Sequence, residues 1–150
     1  METKYPDPIA LGLVVKQHIL DRSQPGELVG DVTGKDCIVI DKLVDTASTL
    51  LDTAQLLKAH GARSVTAFAV HGRFSQDAID RIDKCRALDR LIITDTITPT
   101  PELIAYRNAG GTKIDSLTVA PILAETISRI HQKASVSDAC LHFIPVKSQY

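Results

Sequence analysis

Cys37-Ile38-Val39-Ile40-Asp41-Lys42-Leu43-Val44-Asp45-Thr46-Ala47-Ser48-Thr49-Leu50-Leu51, running on to Gly61, is the stretch whose reading decides the fold. Cys37 to Ile40 is a short, unbroken apolar run, the pattern of a strand buried on both faces, and Asp41 ends it. From Thr46 the period changes. Ala47, Leu50, Leu51, Ala54 and Leu57 fall at helical spacing on one stripe, and Gly61, just past His60, supplies the stop. Residues 41–49 between strand and helix are dense in carboxylates and hydroxyls. The first amides of a helix have no partner within it and carry the positive end of its dipole, so hydroxyls gathered there suit a phosphate. The same residues also suit plain capping by Asp45 or Thr46, and the local sequence leaves both readings open.

Outward from this stretch, strands and helices alternate. Leu11 to Val15 reads as a first strand, followed by a Pro- and Gly-bearing loop over 21–36 with a short strand near Leu28-Val29. Val65 to Val70 and Leu91 to Ile93 are further strands. Between them lies a helix with Ser75 as its expected N-cap and Ala78, Ile79 and Ile82 on its inner face. Pro101 opens a helix that Asn108-Ala109-Gly110-Gly111 stops, Ile114 to Val119 is the last strand, and Pro121 starts a helix whose Ile122, Leu123, Ile127 and Ile130 are expected to face inward. This order predicts an α/β, three-layer architecture: a mostly parallel sheet of about five strands with helices on both faces. Ligands bind such sheets beyond the carboxyl ends of the strands, where the polar loops 41–49, 71–75 and 94–98 should converge. No linker divides the chain, so residues 1–150 read as a single domain with a loose amino terminus over 1–9.

The totals narrow the function. A net charge of −1 gives no support to a nucleic-acid or anionic-membrane surface, and scarce aromatics argue against a base-stacking platform. No apolar run approaches a membrane span. Three widely separated cysteines (Cys37, Cys85 and Cys140) fit a reducing cytoplasm and neither a disulfide framework nor a zinc site. Gly30-Asp31-Val32-Thr33-Gly34-Lys35-Asp36 is no P-loop: it is one residue short between its glycines, Asp follows its Lys, and it precedes a strand. No G-x-G-x-x-G opens a helix.

Ile38 to Thr49 resembles the phosphoribosyl-pyrophosphate loop of type I phosphoribosyltransferase-fold proteins. More narrowly it is similar to that of ribose-phosphate pyrophosphokinases, which write it Asp-Asp-x-x-Asp-Thr-x-Gly-Thr. The likeness extends through Val29-Gly30-Asp31-Val32, His71-Gly72-Arg73-Phe74-Ser75, Thr94-Asp95-Thr96-Ile97, Leu117 to Glu125, and Arg129-Ile130-His131 with Ser135-Val136-Ser137, covering about residues 28–141 in order. The resemblance implies that Asp45, Thr46, Ala47, Ser48 and Thr49 wrap the phosphate of ribose 5-phosphate and that Asp41 accepts from the ribose hydroxyls. It further implies Lys16 as the catalytic lysine, Asp7 as a magnesium ligand, magnesium as cofactor, and a homo- or hetero-oligomer in the cytoplasm that works in nucleotide biosynthesis.

Four departures bear on activity. Lys42 stands where the family has its second acid, and an ammonium only donates. Ser48 replaces a Gly, with strain on the order of 1 kcal/mol if that position needs φ > 0. His18 stands for the Arg expected two residues after Lys16. The domain that supplies most of the family's ATP site is not matched, nor is the helix expected before the first strand, whose loss would leave one sheet face partly uncovered. The expected function is therefore the ribose-5-phosphate-binding part of a phosphoribosyl pyrophosphate-forming enzyme, inactive as this chain alone, with ATP bound only if a second domain or subunit supplies the site. The alternatives are a non-catalytic regulatory or associated subunit and, third, a transferase acting on a base.

Overall fold

The computed structural model describes residues 9–15 and 26–137. Lys16, His18, Asp7 and Cys140 lie outside the described residues, as does most of the amino terminus expected to be loose. Contacts divide the chain into two compact units, Met1–Leu117 and Thr118–Tyr150.

In the first unit, β1 (Leu13–Val15) and β2 (Glu27–Val29) form an antiparallel pair, Leu13 opposite Val29. The predicted first strand is thus present but joins β2 instead of the main sheet. That sheet is built from β3 (Asp36–Val44), β4 (Ser64–Gly72), β5 (Arg90–Thr94) and β6 (Ile114–Leu117), all parallel, in the order β3-β4-β5-β6. The crossovers are α1 (Ser48–Ala59), α2 (Ala78–Lys84) and α3 (Pro101–Asn108). Right-handed crossovers that all step in one direction place their helices on one face of the sheet. Accordingly Val65, Ala67, Ala69, Leu91, Ile93 and Ile114 are buried with Leu50, Leu51, Ala54, Leu57, Ala78, Ile79, Ile82 and Leu103 in one cluster. On the opposite face Ile38 and Ile40 are 72% and 78% exposed, while Thr66, Phe68 and Ile92 are half-buried. One sheet face is thus partly uncovered among the described residues, as expected.

Several local expectations change. The apolar run at 37–40 is not a doubly buried inner strand: among the described residues β3 is an outer strand with one open face. Nor does Asp41 end it. β3 continues to Val44 because β4 is long enough to pair with it, Asp41 against Ala69 and Val44 against Gly72, and that pairing outweighs the local charge. Neither Asp45 nor Thr46 caps α1. Its N-cap is Ala47, in the left-handed region at φ 61° and without a side-chain cap bond. Ser75 does not cap α2 either: Phe74 and Gln76 both take positive φ and delay the helix to Ala78. Thr100 and Pro101 do open α3, with Leu103 N donating to Thr100 Oγ1 at 3.3 Å, and Gly61 follows α1 at φ 85°.

In the second unit, α4 (Ala120–His131) carries Ile122, Leu123, Ile127 and Ile130 on one stripe. They were expected to face inward, and they are exposed. Periodicity shows which residues share a face and not what lies against it.

Candidate functional site

The turn from β3 into α1 holds an open cavity of ≈ 120 Å³ lined by Asp41, Leu43, Val44, Asp45, Thr46, Ala47, Ser48, Thr49 and Leu50. All six residues expected to bind ribose 5-phosphate therefore line one cavity. The α1 ladder begins with Leu51 N donating to Ala47 O at 2.9 Å, so the amides of the first turn lie at the cavity, where the dipole of a 12-residue helix is positive. Thr46 Oγ1 and Ser48 Oγ lie 3.3 Å apart and add hydroxyls to those amides.

Ser48 sits in the first turn of α1 with ordinary helical φ; the left-handed residue of the turn is Ala47. The strain anticipated for Ser48 thus falls one residue earlier. Ser48 gains a partner instead, since Arg81 Nη1 donates to Ser48 Oγ at 3.2 Å and to Thr46 O at 3.1 Å. Arg81 comes from α2 and places a guanidinium behind the hydroxyls. Arg73 Nε approaches Asp45 Oδ1 at 3.9 Å, too far for a hydrogen bond, and that buried oxygen has no hydrogen-bond partner. Asp41 Oδ1 accepts from Lys42 N at 2.7 Å, and the Lys42 side chain is exposed.

Neither arginine's role is apparent from the sequence alone. Arg73 lay in the His71–Ser75 motif without an assigned task. Arg81 was signalled only by its place three residues after Ala78 on the inner side of α2.

The three polar loops do converge. Ser75 N donates to Asp45 O at 3.1 Å, joining the first two. His71 Nδ1 and Thr96 Oγ1 are 2.7 Å apart, and Thr94 Oγ1 donates to Val70 O at 2.5 Å, joining the third.

Other polar groups are structural. Burial pushes the Cys37 thiol above its ordinary value. His60 Nδ1 lies 2.8 Å from Leu56 O at the end of α1. In the false P-loop, Asp31 Oδ1 accepts from Thr33 N and Lys35 Nζ donates to Asp31 O, while Gly34 N donates to Gly61 O; the loop is a turn fastened to α1. Among the described residues no group of three or more His, Cys, Asp or Glu is placed to hold a metal, and no helix is long and apolar enough to cross a membrane.

Fold and site together define a class: a parallel α/β domain of the phosphoribosyltransferase kind, with a hydroxyl- and amide-lined corner after the outer strand of its sheet. Residues 5–140 match the phosphoribosyl synthetase-associated domain, and the chain belongs to that family. It is similar to ribose-phosphate pyrophosphokinases of Shewanella oneidensis (36% identity, 83% of this chain, 40% of that protein) and Vibrio cholerae (41%, 77% and 35%). The phosphoribosylpyrophosphate synthetase from Mycobacterium smegmatis superposes with a TM-score of 0.69 at 29% identity, over 84% of this chain and 38% of that one. The chain thus spans about two fifths of the length of the proteins it resembles.

Proposed function

We propose that this chain is a ribose 5-phosphate-binding unit of the machinery that forms phosphoribosyl pyrophosphate from ATP and ribose 5-phosphate, and that it does not perform the transfer alone. The cavity between β3 and α1 carries this reading. The 5-phosphate lies against the first turn of α1 and the hydroxyls of Thr46, Ser48 and Thr49, with Arg81 adding positive charge behind them. The ribose diol turns to Asp41. Lys42, which stands where the family has its second acid, does not line the cavity, so the diol has Asp41 as its carboxylate acceptor there, which weakens sugar binding and argues against turnover. ATP is bound where a second domain or subunit completes the site. Magnesium brought with its phosphates, which needs only one or two protein carboxylates, would be held by Asp41 and Asp45, whose Oδ1 is without a hydrogen-bond partner. Lys42 also favours a second reading, a non-catalytic subunit that binds the sugar phosphate and tunes a pyrophosphokinase it associates with.

Calorimetric titration tests the site. Ribose 5-phosphate should bind, ribose should not, and Ser48→Asp, which sets a carboxylate against the phosphate, should abolish binding. Equal binding of ribose and ribose 5-phosphate, or indifference to Ser48→Asp, would overturn the assignment. At high protein concentration the chain alone should make no AMP from ATP and ribose 5-phosphate; steady AMP production would show it to be a complete enzyme. A change in the rate of an added full-length pyrophosphokinase would select the second reading.

A further inference from the structure

Asp45 places a carboxylate in a corner otherwise suited to an anion. It lines the cavity after β3 together with Asp41, yet its side chain does not cap α1, and its Oδ1 is buried without a hydrogen-bond partner. The cavity measures only ≈ 120 Å³, so an anion inside it lies within a few ångströms of that carboxylate. Like charges at such range, in a medium of lower dielectric than bulk water, repel strongly enough to decide whether binding occurs. Asp41 is partly relieved, because its Oδ1 accepts from Lys42 N at 2.7 Å. The cation beside Asp45 is Arg73, whose Nε lies 3.9 Å from Oδ1.

Arg73 is held there by its own main chain. Arg73 N and Phe74 N both donate to Val44 O, at 2.9 and 3.3 Å, and Ser75 N donates to Asp45 O at 3.1 Å. The Phe74 ring is buried and takes the space that a side chain at Gly72 would need, since a Cβ there would come 2.6 Å from Phe74 Cε2. Phe74 and Gln76 take φ values of 53° and 59°, a conformation that non-glycine residues keep only where the surrounding structure over-determines it. The backbone of 73–75 is thus tied to that of 44–45, which fixes the base of the Arg73 side chain next to Asp45. At 3.9 Å the contact is no hydrogen bond, and an exposed ion pair of this length adds little to stability. What it changes is the charge of the corner.

We propose that Arg73 is a positioning residue of the phosphate site that acts through Asp45: its guanidinium is the built-in countercharge of that carboxylate, so the corner accepts a phosphate without a divalent cation to neutralise it. The inference rests on reading the cavity as a phosphate site and names what makes that site tolerate an anion.

Calorimetric titration of the whole chain with inorganic phosphate and with ribose 5-phosphate, in the presence of a chelator, tests it. The parent should bind both. Arg73→Leu should weaken both about ten-fold, added magnesium should restore the lost affinity, and Arg73→Lys should keep most of it. Asp45→Asn should tighten inorganic phosphate in the parent, and in the Arg73→Leu background it should bring the affinity back to within about two-fold of the parent. An arginine that held the anion directly, or only held the loop, would be missed just as much without Asp45. Arg73→Leu binding as tightly as the parent, a loss that survives Asp45→Asn, Asp45→Asn alone failing to tighten phosphate, or parent binding that requires magnesium would each overturn the inference and leave the cavity assignment standing. Failure of the parent to bind either ligand, with or without magnesium, would overturn both.

Discussion

Ala47 and Arg81 show what a single residue decides at this site. A non-glycine residue in the left-handed region costs roughly 1–2 kcal/mol, and here that residue is Ala47, whose methyl is buried in the core. The conformation turns the chain from β3 into α1 and so sets the first-turn amides at the cavity. Ala47→Gly relieves the strain and loses a buried methyl of about 0.8 kcal/mol, so its stability in urea should stay within about 1 kcal/mol of the parent. Arg81 is the more consequential side chain. Arg81→Ala strips Thr46 O and Ser48 Oγ of their shared donor and should cost about 1–2 kcal/mol in urea denaturation, with a parallel loss of inorganic phosphate affinity by calorimetry. The hydroxyls at 46, 48 and 49 were legible in the sequence because they are contiguous. Arg81 was not, because 33 residues separate it from Ser48 and only the tertiary fold brings its guanidinium to the start of α1.

Among elements, Asp89 fastens β4, β5 and α1 at the end of the sheet away from the cavity. Its carboxylate accepts from Val65 N at 2.7 Å and pairs with Lys58 of α1 at 3.0 Å, and Asp89 N donates to Val65 O. The Val65 amide, and after it Lys58, hold the Asp89 carboxyl below its ordinary value. A depressed carboxyl favours the folded state above the unfolded-state value of about 3.9, and that contribution is lost as pH falls through the folded-state value. Acid unfolding followed by circular dichroism should therefore be less steep below about pH 4 in Asp89→Asn than in the parent. It will not vanish, because Asp36 is held low in the same way by Arg63 and Ser64. Sequence periodicity located all four strands of the parallel sheet and its three crossover helices. It misplaced the end of β3 and the start of α2, since strand length was decided by pairing with β4 and the helix start by the positive φ values of Phe74 and Gln76.

At the scale of the whole molecule, the first unit rests on a core on one side of its sheet. Ile82 of α2 is fully buried in that core, among residues of β4, β5 and α1, and Ile82→Ala should cost about 2–5 kcal/mol in chemical denaturation. The other side of the sheet, with Ile38 and Ile40, is open among the described residues. The sequence by itself determined that strands and helices alternate, which residues share each face, and that hydroxyls and carboxylates gather after the 37–44 strand, because periodicity and composition are local properties of a chain. Only the tertiary structure decided that β3 is the outer strand among the described residues, that Arg73 and Arg81 reach the same corner, that Ala47 bears the turn, and that the apolar stripes of β3 and α4 are exposed. These follow from what each face meets, and neighbours distant in sequence leave no periodic trace.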